Sequence, residues 1–496
     1  MKTRKIRNKI SRKQYAPLKA SYQKKPKREV RMPKLWEALL VLAFLVAMLA
    51  VGIIIYGVDP HVPMLLGVAG AALMSLYLGY SWRKIEKFMI NGIAKAMQSI
   101  IILIIIGVLI GVWLDAGVVP AMIYYGLKIL KPSIFFVATV LICSITALAT
   151  GTSWGTMGTM GVALMGIGFG LGMNPGMTAG AIISGAYFGD KMSPLSDTTN
   201  LAPAMAGTDL MSHIRFMILP TGIVYLITLI FFGILGVLQY QGGTADTSTM
   251  VTLQETLSSM FHINPLLLLP PVFVIVAVAL QVPAIPGITL GIVTGAIAGM
   301  IFQPGCNVGT LFSCGMNGFV CESGISEIDS LLNTGGLMNM MFSVSMTIIA
   351  MMFGGIMEET HQLEVVVNAL KKLVKKPLGL LALTEVTCVV SNAVMPEQYI
   401  SIVVPGRMYA EEYKKMGLSA TTLSNALESS GTVTSALIPW NTCGVFISST
   451  LGVTVLQYGP WAVFNWLMPI GCLIMGVIGL SIADTEGKLF IRKKKE

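Results

Sequence analysis

Apolar runs long enough to cross a bilayer recur along almost the whole chain. Candidate spans cover about 35–57, 62–80, 96–114, 177–206, 214–238, 265–281, 284–302, 338–357, 420–452 and 460–483. A hydrocarbon core about 30 Å thick takes about 20 apolar residues in helical form. Within it each segment must satisfy its own backbone hydrogen bonds, which makes the helix the building unit. Two further apolar segments, 134–173 and 378–413, read as re-entrant helix–turn–helix hairpins. The expected fold class is therefore an all-α polytopic membrane protein. Charged residues are only 12 % of the chain, against about a quarter in soluble domains. Too few charges remain to cover a water-facing surface, which excludes a cytosolic enzyme, a nucleic-acid-binding module and a disordered scaffold.

The net charge of +10 is unevenly spread: 14 of the 34 Lys and Arg lie in residues 1–34, and none lies between Phe216 and Leu370. Segment 1–34 reads as a basic cytoplasmic tail that touches anionic lipid, and nucleic acid is not an expected partner. The first apolar run is too long for a signal-peptide core and is read as a retained helix. With that tail inside, the positive-inside rule and ten crossings put Arg83, Lys84, Lys87, Arg215, Lys371, Lys372, Lys414, Lys415 and the basic C-terminal segment 486–496 inside as well. Only Lys128 and Lys131 fall outside. Both termini are thus expected to be cytoplasmic. Segment 241–264 is expected to be an outer loop between a first membrane repeat, 35–240, and a second, 265–485.

The repeat is legible as an order of features about 245 residues apart. Lys131-Pro132 and Lys376-Pro377 each precede an apolar helix with a central Cys, Cys143 or Cys388. A polar break follows, then a span interrupted at Pro194 or Pro439. At an offset of 245, nine of the 64 pairs from Lys131 to Pro194 are identical, where chance gives about four. Five crossings per half make the two repeats inverted relative to each other. Inverted repeats with discontinuous helices are a recurring build of secondary transporters, with the site near the midplane.

The densest polar cluster in an apolar setting runs from Gly189 to Asn200. Pro194 lacks an N–H and clashes with the preceding turn, so a continuous helix is not expected. Asp190 and Asp197, the hydroxyls of Ser193, Thr198 and Thr199, the Asn200 amide and freed carbonyls make an all-oxygen environment. A small hard cation such as sodium suits it, and Asp190 and Asp197 are the expected metal ligands. The bland alternative pairs Asp190 with Lys191. In the second half, Glu428 stands alone among Ser, Thr and Gly, followed by Asn441 and Thr442. An isolated buried carboxylate is a proton carrier by default, so Glu428, with Asp190 and Asp197, is assigned to proton coupling. Thr152 and Ser153 at one hairpin tip, and Ser391 and Asn392 at the other, are candidate neutral ligands. Glu397 reads equally as a gate, a proton relay or an acid at a helix N-terminus, with Arg407 a possible neutraliser. The four His fall near span ends, which argues against a buried histidine switch.

Thr150 to Thr156, Gly185 to Ala202, Gly207 to Leu210, Glu428 to Thr432 and Pro439 to Thr442 together resemble the NhaC family of bacterial sodium/proton antiporters. The resemblance covers about residues 35–485. It implies a multi-pass protein of the bacterial inner membrane, with no enzyme activity and no cofactor, whose transported partners are sodium and protons. Some relatives of that family resemble sodium-coupled malate/lactate exchangers. An organic-acid exchanger is therefore the alternative, with half-helix N-termini and hairpin hydroxyls holding a carboxylate. Phe188-Gly189-Asp190 is too short a motif to support intramembrane proteolysis. A homodimer is a further expectation.

Overall fold

A computed structural model describes residues 29–241, 247–280, 282–371, 374 and 376–490. The expected tail as far as residue 28 and the C-terminal basic cluster lie outside the described residues. All regular elements among those described are helical. They begin with α1 (Leu35–Ala50, continued as a π-helix to Ile55), α2 (His61–Tyr77), α3 (Trp82–Lys95), α4 (Met97–Asp115) and α5 (Val118–Ile129). The first hairpin comprises α6 (Phe135–Thr150), α7 (Ser153–Thr156), a π-helix over Met157–Gly161 and α8 (Val162–Gly170). The first broken helix is α9 (Pro175–Met192) plus α10 (Asp197–Ala206), followed by α11 (Leu210–Gln241). Next come α12 (Thr247–Met260), α13 (Leu269–Ala279), α14 (Ala284–Phe302), α15 (Val308–Asn317), α16 (Ser326–Leu332), α17 (Leu337–Glu359) and α18 (Gln362–Lys371). The second hairpin is α19 (Pro377–Val394) and α20 (Gln398–Lys415). The second broken helix runs from α21 (Ala420–Leu427) through π and 3-10 turns to Leu437, then α22 (Thr442–Leu451). α23 (Val455–Tyr458) and α24 (Val463–Ile478) complete the chain.

Among the described residues, seven helices are long and apolar enough to cross a membrane, or nine if two bent pairs each count as one span. Five of the ten expected crossings are among the seven and two coincide with the bent pairs; the span at 62–80 and the two broken helices do not pass, while the long helices at 132–150 and 377–394 belong to the expected hairpins. Residues 247–260 of the expected outer loop form the helix α12, and residues 308–317, between two expected spans, form α15 with Cys314 on it. Both are too short or too polar to register as spans. The Arg83/Lys84/Lys87 segment lies in α3, which exposes its basic face and buries Ile85 and Gly92. Gly92 and Gly355 meet backbone to backbone, and Lys95 pairs with Glu358 at 2.5 Å.

The offset of 245 holds in the backbone. Pro175–Met192 and Asp197–Ala206 map onto Ala420–Leu437 and Thr442–Leu451. Gly172 and Gly417 both take φ +68°, and Gly207 and Gly452 take +83° and +70°. Each ends a helix in the left-handed region that glycine enters at little cost. The broken helices run antiparallel. The start of α9 lies against Gln457, beyond α22, and its end reaches Ser429. Both hairpins close on themselves: Gly168 lies against Phe135 in the first, and Tyr413 and Tyr409 bond Thr384 and Thr387 in the second.

Candidate functional site

The first break spans Ser193 to Ser196, between α9 and α10. Proline at 194 removes a donor, and side chains take over the freed backbone groups. The Thr199 hydroxyl lies 3.1 Å from both the Asp190 and the Lys191 carbonyl. Ser193 Oγ donates to the Leu148 carbonyl at 2.8 Å. The Asn200 amide donates to the Pro194 and Ser196 carbonyls at 2.9 and 2.7 Å. Ser193, Thr199 and Asn200, expected as ligands, thus fasten the break, and none of them lines the cavity beside it.

That cavity holds about 480 Å³. Thr152, Ser153, Asp190, Asp197 and Thr198 line it, together with Gln398 and Tyr399 of the second hairpin. Thr152 caps α7, accepting from the Gly155 N–H, and the tip it begins is held by Trp154 stacked on Phe446 at 4.4 Å. Ser153 Oγ donates to Asp190 Oδ2 at 2.7 Å. Asp190 is 4 % exposed, whereas Asp197, on the first turn of α10, is solvent-exposed at the mouth. The two acids therefore differ in kind. A screened mouth charge contributes about 1 kcal/mol to a cation some 4 Å away. Asp197→Asn is expected to raise the sodium concentration for half-maximal flux about fivefold, with maximal flux nearly unchanged. A sodium titration of transport checks this.

Glu428 lies deeper and is fully buried. Thr198 Oγ1 donates to Glu428 Oε1 at 3.2 Å and contacts Ser196 Oγ at 3.1 Å, linking the cavity wall to the second half. Glu428 opens a π turn (Glu428–Thr432), a distortion frequent at functional sites. Its Oε2 has no hydrogen-bond partner among the described residues. The other second-half candidates form their own network. The Asn392 amide donates to the Gly431 carbonyl at 2.7 Å, and the Asn441 amide to the Asn392 carbonyl at 3.0 Å. Thr442 N–H donates to the Pro396 carbonyl, tying break to tip, and Ser391 Oγ is buried with no partner among the described residues. Glu397 caps α20 through the Tyr399 N–H at 2.7 Å, and its Oε1 has no partner among the described residues. Arg407 is exposed and pairs with neither Glu397 nor Glu411/Glu412 among the described residues.

Lys191 does not pair with its neighbour Asp190. It points across to the second half, fully buried, and donates to Ser429 Oγ at 3.2 Å. His213 is also fully buried, bonded to Ser424 Oγ at 2.8 Å, contrary to the expectation from its place near a span end. Gln398 and Tyr399 reach the cavity because the second hairpin turns back at residues 395–397; their position just after Pro396 was the available signal.

Bilayer-length helices around two facing breaks, with the buried Asp190 in an oxygen-lined cavity and the buried Glu428 bonded to its wall, define a polytopic membrane transporter. The model of the Na+/H+ antiporter family matches residues 185–480. The chain is 38 % identical over 448 residues to the Na+/H+ antiporter NhaC of Alkalihalophilus pseudofirmus, covering 90 % of this chain and 96 % of that one. It is 36 % identical to the malate-2H+/Na+-lactate antiporter of Bacillus subtilis, covering 92 % and 98 %. It is 38 % identical to the arginine/ornithine antiporter ArcD of Halobacterium salinarum, covering 90 % and 93 %. The chain belongs to the Na+/H+ antiporter family.

Proposed function

We propose that the chain exchanges sodium for protons across the bacterial cell membrane as a secondary antiporter. The observation that carries this is the buried Asp190–Ser153 pair facing a cavity lined with hydroxyl and carboxylate oxygens. Sodium occupies Asp190 with Ser153, Thr152 and Thr198 around it, and Asp197 gathers cations at the mouth. Asp190 and Glu428 carry protons when sodium is absent. Competition for shared carboxylates couples the two flows, and such groups titrate as a set. No cofactor is needed. The two antiparallel breaks act as inverted repeats, with both termini cytoplasmic and the basic tail on anionic lipid. A homodimer is the proposed assembly.

The relatives that exchange organic acids or amino acids set the second reading. A dicarboxylate wants a guanidinium or ammonium in its site, and the described cavity lining contains no Lys or Arg. Purified protein in liposomes with an imposed pH gradient separates the two readings. Sodium-dependent proton flux with no organic solute present is the expected result. Flux appearing only with malate, lactate or arginine supplied overturns it.

A further inference from the structure

The helix α3 is too short to cross a bilayer and too apolar on two of its sides to lie free in water. Its 14 residues extend about 21 Å, against a hydrocarbon core of about 30 Å. Residues 78–81 join it to the end of α2, and Ala96 alone separates it from the bilayer-length α4. It therefore lies at one surface of the membrane, the one that the positive-inside rule makes cytoplasmic.

Three kinds of side chain divide its circumference. Ile85 and Gly92 are buried, with Gly92 against the backbone of Gly355 in α17. Lys95 pairs with Glu358 at 2.5 Å, and the Asn91 amide donates to Glu359 Oε1 at 3.3 Å, so the C-terminal end of α3 is pinned to α17. Trp82 and Ile90 are apolar yet 56 % and 58 % exposed. Arg83, Lys84 and Lys87 are exposed as well, against one exposed acid on the same helix, Glu86. None of these three cations forms an ion pair among the described residues. At about 100° per residue, Trp82 and Ile90 fall on the flank beside the buried face, and Arg83, Lys87 and Lys84 follow around the helix. An uncovered apolar flank next to a basic one is the pattern of a helix lying in the headgroup plane, with tryptophan at headgroup level. Bare cations call for anions, and Trp82 and Ile90 beside them call for an apolar body attached to those anions. An anionic phospholipid supplies both.

We propose that α3 is a seat for anionic phospholipid of the inner leaflet. Arg83, Lys84 and Lys87 hold the headgroup phosphates, Trp82 and Ile90 rest against the upper acyl chains, and the filled seat steadies the start of α4. Gln98, Ser99 and Ile102 of α4 line the ion cavity, so the seat bears on the cavity wall. The seat stands without the exchange reading, and its effect on flux rests on that reading.

The test places the full-length protein in vesicles of phosphatidylcholine and in vesicles of equal parts phosphatidylcholine and phosphatidylglycerol. Trp82 fluorescence, taken as the difference from Trp82→Phe, is quenched with a brominated form of either lipid. Quenching is expected to show a preference for phosphatidylglycerol at Trp82 of at least about fivefold, the worth of one basic residue at an anionic surface. Arg83→Gln/Lys84→Gln/Lys87→Gln is expected to abolish the preference. That variant leaves every cation of segment 1–34 in place, which separates the seat from the tail. Lys128→Gln/Lys131→Gln, at the opposite surface, is expected to keep the preference. If the triple variant does not fold, Lys84→Gln/Lys87→Gln is expected to at least halve it. Sodium-dependent proton flux of the wild type is expected to rise at least about twofold with phosphatidylglycerol present, since a ligand shifts an equilibrium by its differential affinity. Flux of the triple variant is expected to be the same in both vesicles. A smaller preference in the wild type, or a preference that the triple variant keeps, overturns the seat. A smaller rise in wild-type flux overturns its bearing on the cavity wall. A wild-type protein without sodium-dependent flux in either vesicle would end the exchange reading and leave the quenching as an independent test of α3.

Discussion

Asp190→Asn in proteoliposomes is expected to lower sodium-driven proton flux at least about 100-fold while the protein remains folded. Loss of a group that only supports a metal ligand costs about 10- to 100-fold in affinity, and Asp190 is proposed as the ligand itself. Asparagine keeps the volume and can still accept from Ser153, so packing at the tip survives. What disappears is the charge that a sodium ion and a proton would compete for. Ser153→Ala removes only the 2.7 Å hydrogen bond and is expected to cost about tenfold. The two variants together separate charge from orientation. Thermal unfolding within a few degrees of wild type, measured on the same samples, establishes that the loss is chemical. Flux in Asp190→Asn within threefold of wild type would remove Asp190 from the exchange site.

The contrast between Asp190 and Asp197 marks what residue order can and cannot reveal. Hydropathy and Pro194 located the first break, and the offset of 245 located its counterpart, because both follow from local rules about helices in lipid. Cys143 and Cys388, each placed at the centre of an apolar helix, are both buried. The direction a side chain takes is another matter. Successive helical residues diverge by about 100°, so Asp190 and Lys191 part company, one toward Ser153 and the other toward Ser429. Nothing in their adjacency foretold that. The same limit applies to Ser193, Thr199 and Asn200. A broken helix needs hydroxyls and amides both for ions and for its own freed carbonyls, and composition does not say which task each performs. His213 was misplaced for a related reason: nearness to a helix end along the chain is not nearness to water when α21 covers that end. The helices α3, α12 and α15 stayed hidden because a span-length test favours long apolar runs.

The second large effect expected is mechanical and begins at two glycines. Gly185 and Gly189 lie four residues apart on one face of α9, where α6 crosses it in parallel. Small residues at such spacing let helix backbones approach closely in a membrane. A Cβ on Gly189 would collide with the Ser144 carbonyl and lie 2.7 Å from both the Ala147 Cβ and the Leu148 N. One on Gly185 would collide with the Val140 carbonyl and lie 2.9 Å from the Cys143 Cβ. Most of those neighbours are helix backbone, which cannot swing aside as a side chain does, so α6 must move. Overpacking of this kind costs about 1–3 kcal/mol per site, a large fraction of a total stability of about 5–15 kcal/mol. The displacement also reaches the site. Leu148 holds Ser193 through its carbonyl, and α6 ends at the Gly151 turn that carries Thr152 and Ser153. Gly189→Ala is therefore expected to lower the unfolding temperature by several degrees and to reduce sodium-driven flux together with it. Gly185→Ala/Gly189→Ala is expected to abolish recovery of monodisperse protein from detergent. Gly222→Ala serves as the control, since no atom of the described residues beyond its own helix backbone and chain neighbours lies within 4 Å of a Cβ there. Wild-type unfolding in Gly189→Ala would mean that α6 and α9 are not locked at this crossing, and the coupling of hairpin tip to broken helix would have to come from elsewhere.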